Sequence, residues 1–132
     1  MPIARSTKET FDFVVSNDRA LPKAQQTTFH LRRLPTVIML RLRDLREGED
    51  AAIGSWMTVA LRAGIAGWSN FLDADGAQVP FALDAAPATV CGIGLPVSAS
   101  EASVNRLGVE DATEIALAIM RGNELSTDDV KN

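Results

Sequence analysis

Apolar and polar positions change rhythm several times along the chain, and each change marks an element. Phe11-Asp12-Phe13-Val14-Val15 combines aromatic and β-branched residues and reads as a strand. Residues 16–26 contain Asn17, Asp18 and Pro22 and read as a loop. Over Thr27–Leu34, Phe29 and Leu31 point one way and His30 and Arg32 the other, the alternation of a half-buried strand. The two strand segments suit a hairpin with a long connection. Residues 1–10 are polar and read as loose.

Helical spacing follows. Leu34-Pro35-Thr36 opens a segment to Arg46 in which Ile38, Leu42 and Leu45 share a stripe, with Arg41, Asp44 and Arg46 mostly elsewhere. Leu40-Arg41-Leu42-Arg43 also alternates, but the length and the proline start favour a helix. Glu47-Gly48-Glu49-Asp50 ends it. Ile53, Trp56, Met57, Ala60 and Leu61 then form one continuous apolar stripe, with Asp50 as a plausible N-cap and Gly64 as a C-cap. A later helix over Asp111–Arg121 turns Ala112, Ile115, Ile119 and Met120 inward and is expected to stop at Gly122-Asn123. Ser103–Leu107 suits a short helix, and Ser126-Thr127-Asp128-Asp129 resembles the start of a capping box.

Between the helices, residues 64–81 run GIAGWSNFLDADGAQVPF. Asp73-Ala74-Asp75-Gly76 predicts a tight turn, with Gly76 supplying a positive φ. Gln78–Ala82 suits a short edge strand, since Pro80 cannot donate to a ladder. Residues 82–100, rich in Ala, Gly, Pro and Ser, read as an irregular wrap. The expected fold is α+β: a single domain with a small antiparallel sheet of the N-terminal strands, packed against about three helices.

Composition narrows the classes. The chain has 132 residues, enough for one domain with a core. Five Phe, two Trp and no Tyr are few rings for a nucleic-acid stacking platform. The formal net charge of −4 argues against a non-specific nucleic-acid coat. That charge is uneven: residues 1–48 carry nine Lys/Arg and five Asp/Glu, residues 49–132 four and twelve. Opposed halves favour head-to-tail contacts between copies or between unlike partners; two differently solvated faces is the plainer reading. No window approaches the roughly 18 apolar residues of a membrane span, and no apolar run of signal-peptide length opens the chain. A soluble, cytosolic protein without membrane or nucleic-acid partners is expected.

Familiar chemistry fails position by position. In an EF-hand frame around Asp73, Asp75 and Gly76, position one is Phe71 and position twelve is Ala82, so the essential carboxylates are absent. Gly92-Ile93-Gly94 lacks the third glycine of a dinucleotide loop. His30 is the single histidine and reads as a surface or packed residue. Cys91 is the single cysteine, which excludes an internal disulfide, and its apolar surroundings read as a buried hydrophobe. Glu110 and Glu114 belong to a first helical turn, where acids are common. The expectation is a non-enzymatic protein with no catalytic residues, metal or cofactor.

The order of features resembles a family of small proteins of tailed bacteriophages, the tail assembly chaperones. The resemblance rests on Arg62-Ala63-Gly64-Ile65, Gly67-Trp68-Ser69-Asn70-Phe71, the Asp-x-Asp-Gly turn at Asp73–Gly76, the Val79-Pro80-Phe81 exit, and a tail with Asn123, Leu125, Ser126 and Asp128. It covers about four-fifths of the chain; the 82–100 wrap does not align. It implies a protein of the host cytoplasm that covers apolar, helical parts of the tape-measure protein until the tail tube forms. The alternative is a structural component, a head–tail connector or minor tail protein, that stays in the virion. Partners are then other phage tail proteins, with self-association also open. Trp56, Met57, Trp68 and Phe71 are the candidate contact residues, with charge steering from Arg32, Arg41 and Arg43. Each of these four apolar residues also reads as plain core, and for Trp56 that reading is the favoured one.

Overall fold

The computed structural model describes residues 10–48 and 53–129. Its first strand, β1 (Thr10–Phe13), pairs antiparallel with β2 (Thr28–Arg32), Phe11 opposite Leu31 and Phe13 opposite Phe29. The alternation is the cause: Phe29 and Leu31 are buried while Thr28, His30 and Arg32 are half-buried on the other face. The connection contains two short 3-10 turns, at Ser16–Asp18 and Lys23–Gln25.

The third strand is β3 (Ile65–Ser69), which pairs antiparallel with β2 and completes a sheet of order β1-β2-β3. It begins at the residue after helix α2 (Ile53–Gly64), with no intervening loop. The register shifts between His30 and Leu31: His30 faces Gly67 and Leu31 faces Ile65, so Ala66 is the extra residue of a bulge. The expected edge strand at Gln78–Ala82 does not join this sheet. Gln78 makes only an isolated bridge to Leu72, because the Asp73–Gly76 turn folds the chain back on itself. That turn forms as expected: Gly76 has φ +82, and Asp73 Oδ1 accepts from the backbone N–H groups of Asp75 and Ala77.

Helix α1 (Thr36–Glu47) starts after Pro35, whose carbonyl accepts from Met39 N–H, and ends where Gly48 N–H donates to the Asp44 carbonyl. Ile38, Met39 and Leu42 face inward. In α2 the buried face is Trp56, Val59, Ala60, Leu61, Ala63 and Gly64; Ile53, expected on the stripe, is 69% exposed. Packing against α1, α4 and β2 covers a face centred on Val59 and Ala63 and leaves the first turn outside. The N-cap expected at Asp50 lies outside the described residues, as do residues 1–9 of the loose N-terminus and residues 130–132; Thr10 already belongs to β1.

Residues 82–100 are not the irregular wrap expected. They hold a second hairpin, β4 (Ala88–Val90) and β5 (Ile93–Leu95). Its two-residue loop is Cys91-Gly92, with φ +51 and +79, the paired positive angles of a type I′ turn. Cys91 is therefore exposed at a hairpin tip and not buried in the core. The flanks are stapled to α2: Ala99 N–H donates to the Arg62 carbonyl at 2.7 Å, Arg62 Nε returns a bond to the Ala99 carbonyl at 3.0 Å, and the Arg62 guanidinium pairs with Asp84. Ser98 Oγ also donates to Asp84, and these bonds hold the Asp84 carboxyl below its ordinary pKa, that from Ser98 most.

The one-turn helix α3 (Glu101–Val104), capped by Ser100, leads to α4 (Val109–Asp129). The expected stop at Gly122-Asn123 is absent, and so is a new helix start at Ser126: α4 runs through both. A Cβ on Gly122 would lie 2.6 Å from Phe11 Cε2, so the missing side chain admits the Phe11 ring. Asn123 is 4% exposed; its amide donates to the carbonyls of Ile119 and Arg32 and accepts from Leu34 N–H at 2.6 Å. Tertiary bonds replace the local competition by which Asn usually ends helices. Leu31, Leu34, Leu42, Ile65, Ile115 and Ile119 form the centre of one core shared by the sheet, the hairpin and the helices.

Candidate protein-contact site

The residues Trp68, Phe71 and Phe81 fold together. Trp68 faces inward from β3 opposite Phe29, and its indole N–H donates to the Val79 carbonyl at 2.8 Å, which ties the strand to the returning limb of the turn. Trp68 meets Phe71 with ring centroids 5.0 Å apart and Phe81 at 4.9 Å, both edge-on; Phe29 meets Phe71 at 5.7 Å. Each such pair adds about 0.5–1.5 kcal/mol beyond area burial. Phe29 is buried, but Trp68, Phe71 and Phe81 are only half-buried, so the cluster opens on the surface.

Beside it lies a cleft of about 260 Å3. Val15, Phe29, Phe71 and Leu72 form apolar walls, and Asp18, Gln25, Thr27, Asn70 and Asp111 supply polar groups. Asn70 organises this edge. It takes a left-handed conformation with φ 59, which Asn tolerates better than most residues. Its amide donates to the Ala24 and Gln26 carbonyls and its own carbonyl accepts from Thr27 Oγ1, so the 16–26 connection is pinned to the end of β3. Asp18 is held by Thr27 N–H at 2.9 Å. Burial, then repulsion from Glu114, Asp18 and Glu110, raises the Asp111 pKa. Glu114 shifts the other way, because it accepts both the N–H and the hydroxyl of Ser16.

The candidate contact residues separate. Trp68 and Phe71 share the aromatic cluster. Trp56 is 5% exposed and belongs to the core, with the Arg46 guanidinium 5.9 Å from its ring. Met57 is half-buried against the core from α2. Arg41 and Arg43 are exposed on α1. Arg32 lies on the outer sheet face, where burial lowers its pKa and leaves one guanidinium nitrogen buried without a hydrogen bond. The seven residues therefore do not form one surface. Phe81 joins the site from the Val79-Pro80-Phe81 exit, whereas Asp18 and Asp111 carry no local signal.

The outer sheet face carries a second arrangement. His30 Nδ1 lies 2.8 Å from Asp12 Oδ1, and Nε2 lies 2.8 Å from Ser69 Oγ. The order of groups is that of a Ser-His-Asp chain of bonds. It stands on an open face, with the His30 and Asp12 side chains 36% and 67% exposed, away from the cleft. Acyl transfer draws much of its stabilisation from donors placed around the developing oxyanion in a water-poor site. Cross-strand polar pairing accounts for these bonds. Among the described residues, no three His, Cys, Asp or Glu side chains gather as a metal set, and no helix is long and apolar enough to cross a membrane.

No protein-family model, curated protein or solved structure matches the chain.

Proposed function

We propose that the chain is a non-enzymatic morphogenesis protein of a tailed bacteriophage, acting as a tail assembly chaperone that covers apolar stretches of the tape-measure protein in the host cytoplasm. The observation that supports a protein-contact role is the half-open cluster of Trp68, Phe71 and Phe81 beside exposed Leu72. The same segments carry the resemblance. A cleft of about 260 Å3 falls below the roughly 300–1,000 Å3 of small-molecule sites and suits one or two protein side chains. The alternative, a connector or minor tail protein retained in the virion, is favoured by the opposed charges of the two halves, which suit ordered assembly.

Two measurements separate these readings. Co-expression with the tape-measure protein of the same phage should keep that protein soluble, and Leu72→Asp should reduce the effect. Mass spectrometry of purified particles should find the chain absent. A stoichiometric amount in the particle selects the structural reading; no gain in solubility together with absence from the particle removes the tail assignment.

A further inference from the structure

Helix α1 has a face that its own fold leaves unused. Ile38, Met39 and Leu42 enter the core, while Val37, Leu40, Arg41 and Asp44 form the opposite stripe at i, i+3, i+4 and i+7. Val37 is 71% and Leu40 51% exposed. Arg41 and Arg43 are exposed beside them, without an ion-pair partner among the described residues. A single outward Leu means little. An adjacent apolar pair flanked by two exposed guanidinium groups is a surface with a definite complement.

The cleft beside the aromatic cluster has that complement. Its apolar walls include Phe29, Phe71 and Leu72, and Asp18 and Asp111 line it, with Glu110 in the same first turn of α4 and Glu114 one turn on. Arg19, 3.9 Å from Glu114, offsets part of this negative charge. We infer that the cleft of one copy receives the Leu40–Arg41 segment of α1 from a second copy, Leu40 against Phe71 and Leu72, Arg41 toward Asp18 and Asp111. Two different patches meet, so the contact is heterologous, and a pair of copies keeps one free helix face on one copy and one free cleft on the other. The uneven charge then has a use: the basic residues of α1 in one copy dock on the acidic edge of the next. This goes beyond the tail-assembly reading and does not depend on it, since the partner is the chain itself.

The test is sedimentation of the full chain over a range of concentrations. The wild-type sedimentation coefficient should rise with concentration, and less so in 1 M salt, where the Debye length falls to about 3 Å. Arg41→Glu, at an exposed helix position, and Leu72→Arg, at a rim position 43% exposed, should each weaken association about tenfold or more while circular dichroism stays unchanged. A 1:1 mixture of the two variants should form a dimer and no longer species, because one intact helix face and one intact cleft remain between them. A chain that stays monomeric, variants that associate like wild type, or a mixture that fails to pair overturns the inference. Monomeric behaviour would also leave the cleft to a basic segment of another protein. None of these outcomes bears on whether the chain is found in purified particles, so the two readings fail separately.

Discussion

A methyl group at Gly64 tests how tightly α2 and α4 are packed. Gly64 is the last residue of α2 and is buried; a Cβ built there would lie 2.6, 2.7 and 2.9 Å from Cδ1, Cγ2 and Cγ1 of Ile119. Carbon atoms prefer about 3.5–4.0 Å, so the overlap is on the order of 1 Å with three atoms at once. Ile119 is fully buried and has no open side to swing into. Either its χ angles leave their rotamer or the helices part, and overpacking of this kind costs about 1–3 kcal/mol. Against that, Ala is favoured over Gly in a helix by up to about 1 kcal/mol, and less at a final residue that leads straight into β3. The expected net loss for Gly64→Ala is about 1–2 kcal/mol, or roughly 3–8 °C in Tm for a chain of this size. Urea and thermal unfolding of Gly64→Ala, Ile119→Val and the double variant give the answer. Ile119→Val removes Cδ1, the nearest atom; alone it should cost about 0.5–1.5 kcal/mol. In the Gly64→Ala background it should cost less, with a coupling of at least about 0.5 kcal/mol. A Gly64→Ala chain as stable as wild type, or two effects that simply add, would refute the packing argument.

Four further substitutions examine other parts of the fold. Gly92→Ala should lower stability by about 1–2 kcal/mol in thermal unfolding, because φ +79 is left-handed and no neighbour within 4 Å contributes a clash; Cys91→Asn should be neutral or stabilising, since Asn accepts the φ of +51. For Asp84 the folded pKa is depressed, so its contribution is complete above the ordinary carboxylate range of about 3.9 and is lost as pH falls through the lower folded value. Ser98→Ala removes the largest cause of that depression and should flatten the acid limb of the stability curve; parallel limbs for the two proteins would contradict this. Ser69→Ala should leave hydrolysis of p-nitrophenyl acetate at the wild-type level, whereas a tenfold fall would give the His30 hydrogen bonds a catalytic role.

The elements that were legible have a period. β1 and β2 alternate, and α1, α2 and the first part of α4 repeat at helical spacing, so strand and helix follow from which side is buried. What escaped was set by distant contacts. β3 has no alternation to show, since Gly64 and Gly67 bracket Ile65-Ala66, and it becomes a strand because Phe29 and Leu31 already present an open ladder to it. The β4–β5 strands have three residues each, too few to show a rhythm among Ala, Pro and Gly. Gly122-Asn123 carries a stop signal of good quality, yet Phe11, Arg32 and Leu34, from the opposite end of the chain, use the missing Cβ and the side-chain amide instead.

The same division governs the site. Trp56 and Trp68 look alike in the sequence, each an aromatic residue in an apolar run, and only their surroundings separate them. Trp56 lies on a helix enclosed by α1, α4 and β2, so no ring surface remains for a partner. Trp68 lies on an edge strand, covered by a single layer of Phe71, Phe81 and the Val79 carbonyl, so part of its ring stays at the surface. Sequence can therefore nominate apolar contact residues, but edge or centre of the sheet decides which of them keep a free face. Asp18 and Asp111 show the converse: neither has any pattern of its own, and they acquire meaning only where the connection after β1 crosses the start of α4. Apolar anchors of a binding surface leave a periodic trace in the chain, whereas charges that give it direction do not, because an exposed acid satisfies local rules at almost any position.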